Sequence, residues 1–228
     1  MPSRVSVVQD GQVSVIVLDD GKVNAVNDEL LDELEPALDD AVAQSRAIVL
    51  GGRPGVFSGG FDLGVVGLDG PRAERLVRRG VALTATLYSS PIPVVAACTG
   101  HAVALGAVLL MAADYRVGAE GDFGIGLNEV AIGLPLPGAL ATLARDRLTA
   151  SRLTEAVLLA RMWLPAEARE VGFLDDLAPP ETTLARAVHH ARDLAGRVQP
   201  DAFAETKDAL RRDGLALLRA EGEHLLDR

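Results

Sequence analysis

The sequence predicts an α/β fold built on a mainly parallel sheet, and three observations carry that expectation. Short apolar runs, AIVLGG at 47–52 and PIPVVAAC at 91–98, have the composition of strands buried on both faces. Each leads into a longer segment with helical spacing, and successive strand-helix units imply parallel strands joined by crossover helices. At 228 residues and 49% hydrophobic, the chain has enough apolar material for one large domain, with a small appended region.

The elements follow in order. Val5 to Val8 and Val13 to Leu18 flank QDGQ, which reads as the turn of an opening hairpin. NDELLDELEPALDDAVAQ then places Leu30, Leu31, Leu34, Leu38 and Val42 on one face of a helix, with Asn27 or Asp28 as N-cap and acids in the first turn. After the strand at 47–52, GPRAERLVRRGVALTATLYSS supplies a second helix. The strand at 91–98 passes through Thr99-Gly100 into an apolar helix near 104–112, and DYRVGAEGDFGI reads as short strands. From Gly138 onward the chain is mostly helical. Residues 182–227 read as two or three helices, broken near Gln199-Pro200 and Gly214.

Composition narrows the function. A net charge of -10 with Lys22 and Lys207 as the only lysines argues against a nucleic-acid groove, which needs concentrated basic surface. One cysteine, Cys98, permits neither a disulfide nor a thiolate zinc site within the chain. The N-terminal residues alternate like a strand and lack the apolar core of a signal peptide. The longest apolar run, Ala102 to Ala113, is too short to span a bilayer. The expectation is a cytoplasmic protein with no membrane segment and no nucleic-acid partner.

The common catalytic signatures are missing: there is no G-x-S-x-G elbow, no G-x-x-x-x-G-K-[ST] loop and no H-E-x-x-H. GDFGIG does not complete a dinucleotide fingerprint. His101 sits at a strand-to-helix junction with no acid or nucleophile beside it and reads as packed or capping, while His189 and His190 read as solvent-facing. Two glycine-bearing strand ends remain, VFSGGFDLG at 56–64 and CTGHAVALGAVLLMAADYRVG at 98–118. In a parallel sheet the carboxyl ends of neighbouring strands share an edge, where helix N-termini and free N–H groups can converge on a ligand. Gly59-Gly60 would let that ligand reach the main chain. Converging backbone donors suit a carbonyl that takes on negative charge.

VNAVN (23–27), VFSGGFDL (56–63), TGHAVALGAVLLMAADYRVG (99–118) and FGIGLNEVAIGLPLPG (123–138) resemble, in order and spacing, the crotonase family of enoyl-CoA hydratases and isomerases. The resemblance runs from about Val5 to Leu177. It implies a spiral of β-β-α units over residues 1–177 that binds acyl-CoA, followed by a helical trimerisation region at 178–228, and a homotrimer or homohexamer. It implies an oxyanion hole made by the backbone N–H groups of Phe61 and Leu105. The CoA path would involve Lys22, Val23, Ala25, Gly59, Gly60, Phe61, Asp62 and Leu63, with Lys22, Arg53 and Lys207 as phosphate partners by charge. CoA is then part of the substrate, and neither a separate cofactor nor a metal is called for. The segment LGVVGLDGPRAERLV should border the acyl pocket.

The acids choose the reaction within that resemblance. Hydratases of the family carry two glutamates; the second matches Glu129, while the first falls on Val108. Water addition benefits from two groups that hold and activate water, whereas moving a double bond needs one base that takes a proton at C2 and returns it at C4. Glu129 alone therefore points toward a 3-enoyl-CoA to 2-enoyl-CoA isomerase. Asp62 reads as structural, Asp114 as a cap or ion-pair partner, and Pro137 stands near where some relatives place a further acid. Two other readings remain beside the isomerase: a weak hydratase, and a non-catalytic module that binds acyl-CoA.

Overall fold

The structure is a computed structural model that describes residues 3–67 and 70–224, the side chains of 223 and 224 excepted. Its opening hairpin pairs β1 (Val5–Asp10) with β2 (Val13–Leu18) antiparallel. Helix α1 (Asp28–Gln44) begins at Asn27, whose side chain accepts from the Leu30 N–H at 3.0 Å. Three repeats of a long strand followed by a short one come next: β3 (Ala47–Gly52) with β4 (Gly55–Ser58), β5 (Val94–Cys98) with β6 (Gly100–Val103), and β7 (Tyr115–Ala119) with β8 (Ile125–Gly126). Helices α2 (Leu63–Val66) and α3 (Pro71–Ser89) follow the first pair, α4 (Leu105–Ala112) the second and α5 (Gly138–Arg147) the third.

These repeats sort into two sheets. The long strands and β9 (Asp176–Ala178) form one of order β1-β2-β3-β5-β7-β9, parallel except at the hairpin; β4-β6-β8 form a smaller parallel one. Each β-β-α unit thus advances one strand in both sheets, which is the spiral the motifs imply. Side chains alternate across the large sheet with period two. Val13, Val15, Ala47, Val49, Val95 and Ala97 face α8 (Thr183–Arg197), where Ala187, Ala191 and Ala195 recur at four-residue spacing and let the helix lie close. Ile16, Leu18, Ile48, Leu50, Val94 and Ala96 face the larger core shared with α1, α3 and α4. Each valine, leucine or isoleucine among them contributes about 1.5–3 kcal/mol by leaving water.

Beyond α5 come α6 (Leu153–Val157) and α7 (Pro165–Val171), then β9, α8 and α9 (Pro200–His224). The chain does break at Val198-Gln199, but α9 runs unbroken through Gly214. A Cβ there would lie 3.2 Å from Tyr88 Oη and 3.3 Å from an Asp146 oxygen, so this glycine serves close helix packing rather than a stop. Residues 225–227 of the anticipated helical region, and Leu68 and Asp69 of the anticipated pocket border, lie outside the described residues. Among the described residues no helix is long and apolar enough to cross a membrane.

Candidate active site

The site begins at the end of β4. Buried Asn24 adopts φ +50 and spends its amide on the backbone around it: Nδ2 donates to the Leu18 and Phe57 carbonyls at 2.9 and 3.1 Å, and Oδ1 accepts from Asp20 N–H at 2.9 Å. Its own carbonyl accepts from Ser58 Oγ at 2.8 Å. This fastens the segment 22–26 along residues 58–62. Val26 and Phe61 then form a parallel bridge, in which Val26 N–H donates to Gly60 and Asp62 N–H donates to Val26. Pairing alternates along a strand, so the bridge turns the Phe61 N–H to the opposite side.

Gly60 explains why that side meets the next unit. Its φ is +85, and a Cβ would lie 2.8 Å from the Val103 carbonyl and 3.2 Å from Leu105 N. Two main chains therefore touch, and the glycine joins β4 to the β6-α4 junction rather than simply opening a path for a ligand. At the junction Ala104 holds φ +52, a strained setting for a residue with a side chain. It is secured on both sides, its N–H donating to Gly126 at 3.0 Å and its carbonyl accepting from Val108 N–H at 3.1 Å. Leu105 follows as the first residue of α4, where N–H groups have no partner in the helix. Among the described residues neither the Phe61 nor the Leu105 N–H finds a protein acceptor.

Both residues line an apolar cavity of about 180 Å³. Its walls are Leu63 and Val66 of α2, Val77 and Val81 of α3, and Pro137 and Leu140 at the start of α5. Its exposed rim includes Ile132, Leu134 and Pro135. Among the described residues that line it, Glu129 is the one titratable side chain and its neighbour Asn128 the one other polar side chain. Glu129 Oε2 and Asn128 Oδ1 are buried and find no hydrogen-bond partner among the described residues. Burial pushes the Glu129 carboxyl above the usual carboxylate range, with a smaller opposing pull from a backbone N–H. Val108 is wholly buried in α4 and contributes no second acid.

A second, polar groove of about 490 Å³ lies on the other side of the 59–62 segment and is lined by Arg4, Asp19, Asp20, Lys22, Val23, Ala25, Asn27 and Asp62. It gathers four of the residues assigned to the CoA path, while Gly59, Phe61 and Leu63 line the apolar cavity. Gly59 N–H donates to the Val23 carbonyl at 2.8 Å, so the two spaces share a wall. Asp62 caps α2 by accepting from Gly64 N–H at 2.9 Å. Arg53 Nε donates to the Lys22 carbonyl at 2.7 Å, which holds the same loop.

Lys207 is a correction. Its ammonium is buried in α9 and donates to Asp114 Oδ2 at 2.8 Å, and burial pulls it down to about 8 despite that partner. It is unavailable to a phosphate on the groove. His190 is a second: it is half-buried against the Tyr115 ring and 3.3 Å from Asp176 Oδ2. His189 is exposed as expected, and His101 Nδ1 accepts from Gly124 N–H at 2.9 Å without lining the cavity.

Asn24, Ala104 and Asn128 lie inside the motifs that carry the resemblance, but what each does to shape the site was not legible. Asn24 also carried a local signal, an asparagine in a short loop, a type that tolerates positive φ. An alanine at positive φ has no such signal.

The protein-family model described as enoyl-CoA hydratase/isomerase matches residues 9–221. A Mycobacterium tuberculosis protein, described in one structure as an enoyl-CoA isomerase and in another as a probable enoyl-CoA hydratase, superposes in the first, an apo structure, with a TM-score of 0.94 at 39% identity, covering 100% of both chains. Human mitochondrial enoyl-CoA delta isomerase 1 is 31% identical over 207 residues, 84% of this chain and 68% of that protein. A glyoxysomal fatty acid beta-oxidation multifunctional protein of Brassica napus is 32% identical over 205 residues, 87% of this chain but 28% of that protein.

Proposed function

Because the chain belongs to the enoyl-CoA hydratase/isomerase family, we propose that it moves the double bond of a 3-enoyl-CoA to give the 2-enoyl-CoA, with Glu129 as its single acid-base group. The observation that carries this reading is that, among the described residues, a mainly apolar cavity holds a single carboxylate, with Asn128 beside it, and receives two backbone N–H groups without a protein acceptor.

The acyl chain enters the apolar cavity past the rim at Ile132 and Leu134, with the CoA arm along Lys22, Val23 and Ala25. The thioester oxygen accepts from Phe61 and Leu105. Ionised Glu129 takes a proton from C2, the electrons of that C–H bond pass into the thioester, and the oxygen of the resulting dienolate carries the charge. Each donor is worth about 3–4 kcal/mol to such an oxyanion, and the positive end of α4 adds to them. Protonated Glu129 then returns the proton at C4 and is ionised again. A carboxyl raised by burial suits both halves, since it is basic enough to accept and acidic enough to release.

Glu129→Gln keeps size and removes the proton acceptor. Isomerisation of 3-enoyl-CoA and deuterium uptake at C2 should each fall by roughly 100-fold or more, with acyl-CoA affinity retained. Full turnover by that variant would overturn the single-base mechanism. A parent protein that binds the thioester, turns over no 3-enoyl-, 2-enoyl- or aromatic CoA thioester and exchanges no C2 proton would make it a binding module instead.

A further inference from the structure

We infer that the Phe61 ring, seated on the bare backbone of Gly80, is the wall that limits the acyl group, so that one contact between α3 and the oxyanion loop sets substrate size. The inference rests on the acyl-CoA reading of the cavity above. Phe61 enters that reading only through its N–H; its side chain is a separate matter.

Val77, Gly80 and Val81 lie three and four residues apart and share one face of α3. Val77 and Val81 line the cavity, and Gly80 between them is buried. A Cβ on Gly80 would fall 2.5 Å from Phe61 Cε1, closer still to Cζ, and 3.0 Å from Leu105 Cδ2. The ring therefore occupies the notch that a side chain at 80 would fill. Phe61 is only half-buried, and it is among the residues that line the cavity. At Gly80 the ring tip meets α3 where no side chain separates it from the helix backbone, which cannot retreat. A methyl added at 80 must move the ring, and the free space is the cavity. Removing the ring does the reverse, extending the cavity to the α3 backbone between the two valines.

Gly80 lies in a helix interior, where alanine is the better helix former, so Gly80→Ala should stay folded. The test is kcat/KM over a series of 3-enoyl-CoA thioesters of increasing acyl length, for the parent, Gly80→Ala, Phe61→Ala and the double variant. Gly80→Ala should lose activity progressively with length, by about 10-fold or more at the long end relative to the short. Phe61→Ala should shift preference the other way. The double variant should follow Phe61→Ala, since the added methyl then has no ring to displace. A uniform loss in Gly80→Ala at every length would overturn the inference, because it would mean that the Leu105 donor had moved rather than the wall. Unchanged length profiles in active variants would overturn it while leaving the isomerase reading intact. If the parent turned over nothing, that reading would fall, and calorimetric affinity of saturated acyl-CoA thioesters over the same lengths would decide the wall by the same pattern.

Discussion

Glu129 shows how one residue carries both a cost and a use. Its side chain lines the same cavity as Phe61, Leu105 and Pro137, one carboxyl oxygen is buried with no partner among the described residues, and burial raises its pKa. A raised folded value means that this group's contribution is fully present below its unfolded pKa and is lost as pH rises through the folded one. Glu129→Gln is neutral throughout and escapes that loss. Its melting temperature should therefore gain on the parent as pH climbs from the acid side through the ordinary carboxylate range, then level off once the pH has passed the raised value of the folded protein. A difference that stayed flat with pH would show that the carboxylate is not strained in the fold. Activity should run in the opposite sense, rising with pH as Glu129 ionises, with a midpoint above that of an ordinary carboxylate. Gly60 makes the complementary point about legibility: the glycine pair was visible, but its reason was not. A glycine read alone suggests room for a ligand, whereas the contact with Val103 and Leu105 depends on which strand lies alongside.

At the level of elements, strands and helices were legible because each has its own period, and the motif resemblance supplied the order in which they wind. What pattern could not supply was pairing across long distances in the chain. Asp114 read as a cap or ion-pair partner, and Lys207 as a phosphate ligand; the fold joins them. Asp114 accepts from Val94 N–H and Lys207 Nζ at 2.8 Å each, and its other oxygen lies 2.8 Å from Arg211. Arg211 also donates to the Tyr88 carbonyl at 2.7 Å, so one aspartate ties α9 to β5 and, through that arginine, to α3. Asp114→Ala would strand two buried cations, and it should cost about 3–5 kcal/mol by denaturant unfolding. A loss near that of a surface pair, under about 1 kcal/mol, would mean that α9 is held by apolar packing alone.

The whole molecule leaves apolar surface that one chain does not cover. Leu158, Leu159 and Leu164 are 62%, 68% and 48% exposed within seven positions, with Met162 between them, and Leu210 of α9 is 82% exposed. Isolated exposed leucines need no explanation, but a run of this density is the composition of an interface core rather than of ordinary surface. The charge of -10 opposes casual aggregation, so an interface that forms must be specific enough to overcome it. A closed assembly of identical copies is the simplest way to cover such a run, which agrees with the trimer or hexamer that the family resemblance implies. Light scattering should accordingly give three or six times the 23.9 kDa chain mass at micromolar concentration. Leu158→Asp combined with Leu159→Asp touches neither the cavity nor the groove. That pair should shift the mass toward the single chain while leaving the far-ultraviolet circular dichroism unchanged. A monomeric parent would leave these leucines without a partner copy, and a parent oligomer that survives both aspartates would place its interface elsewhere on the surface.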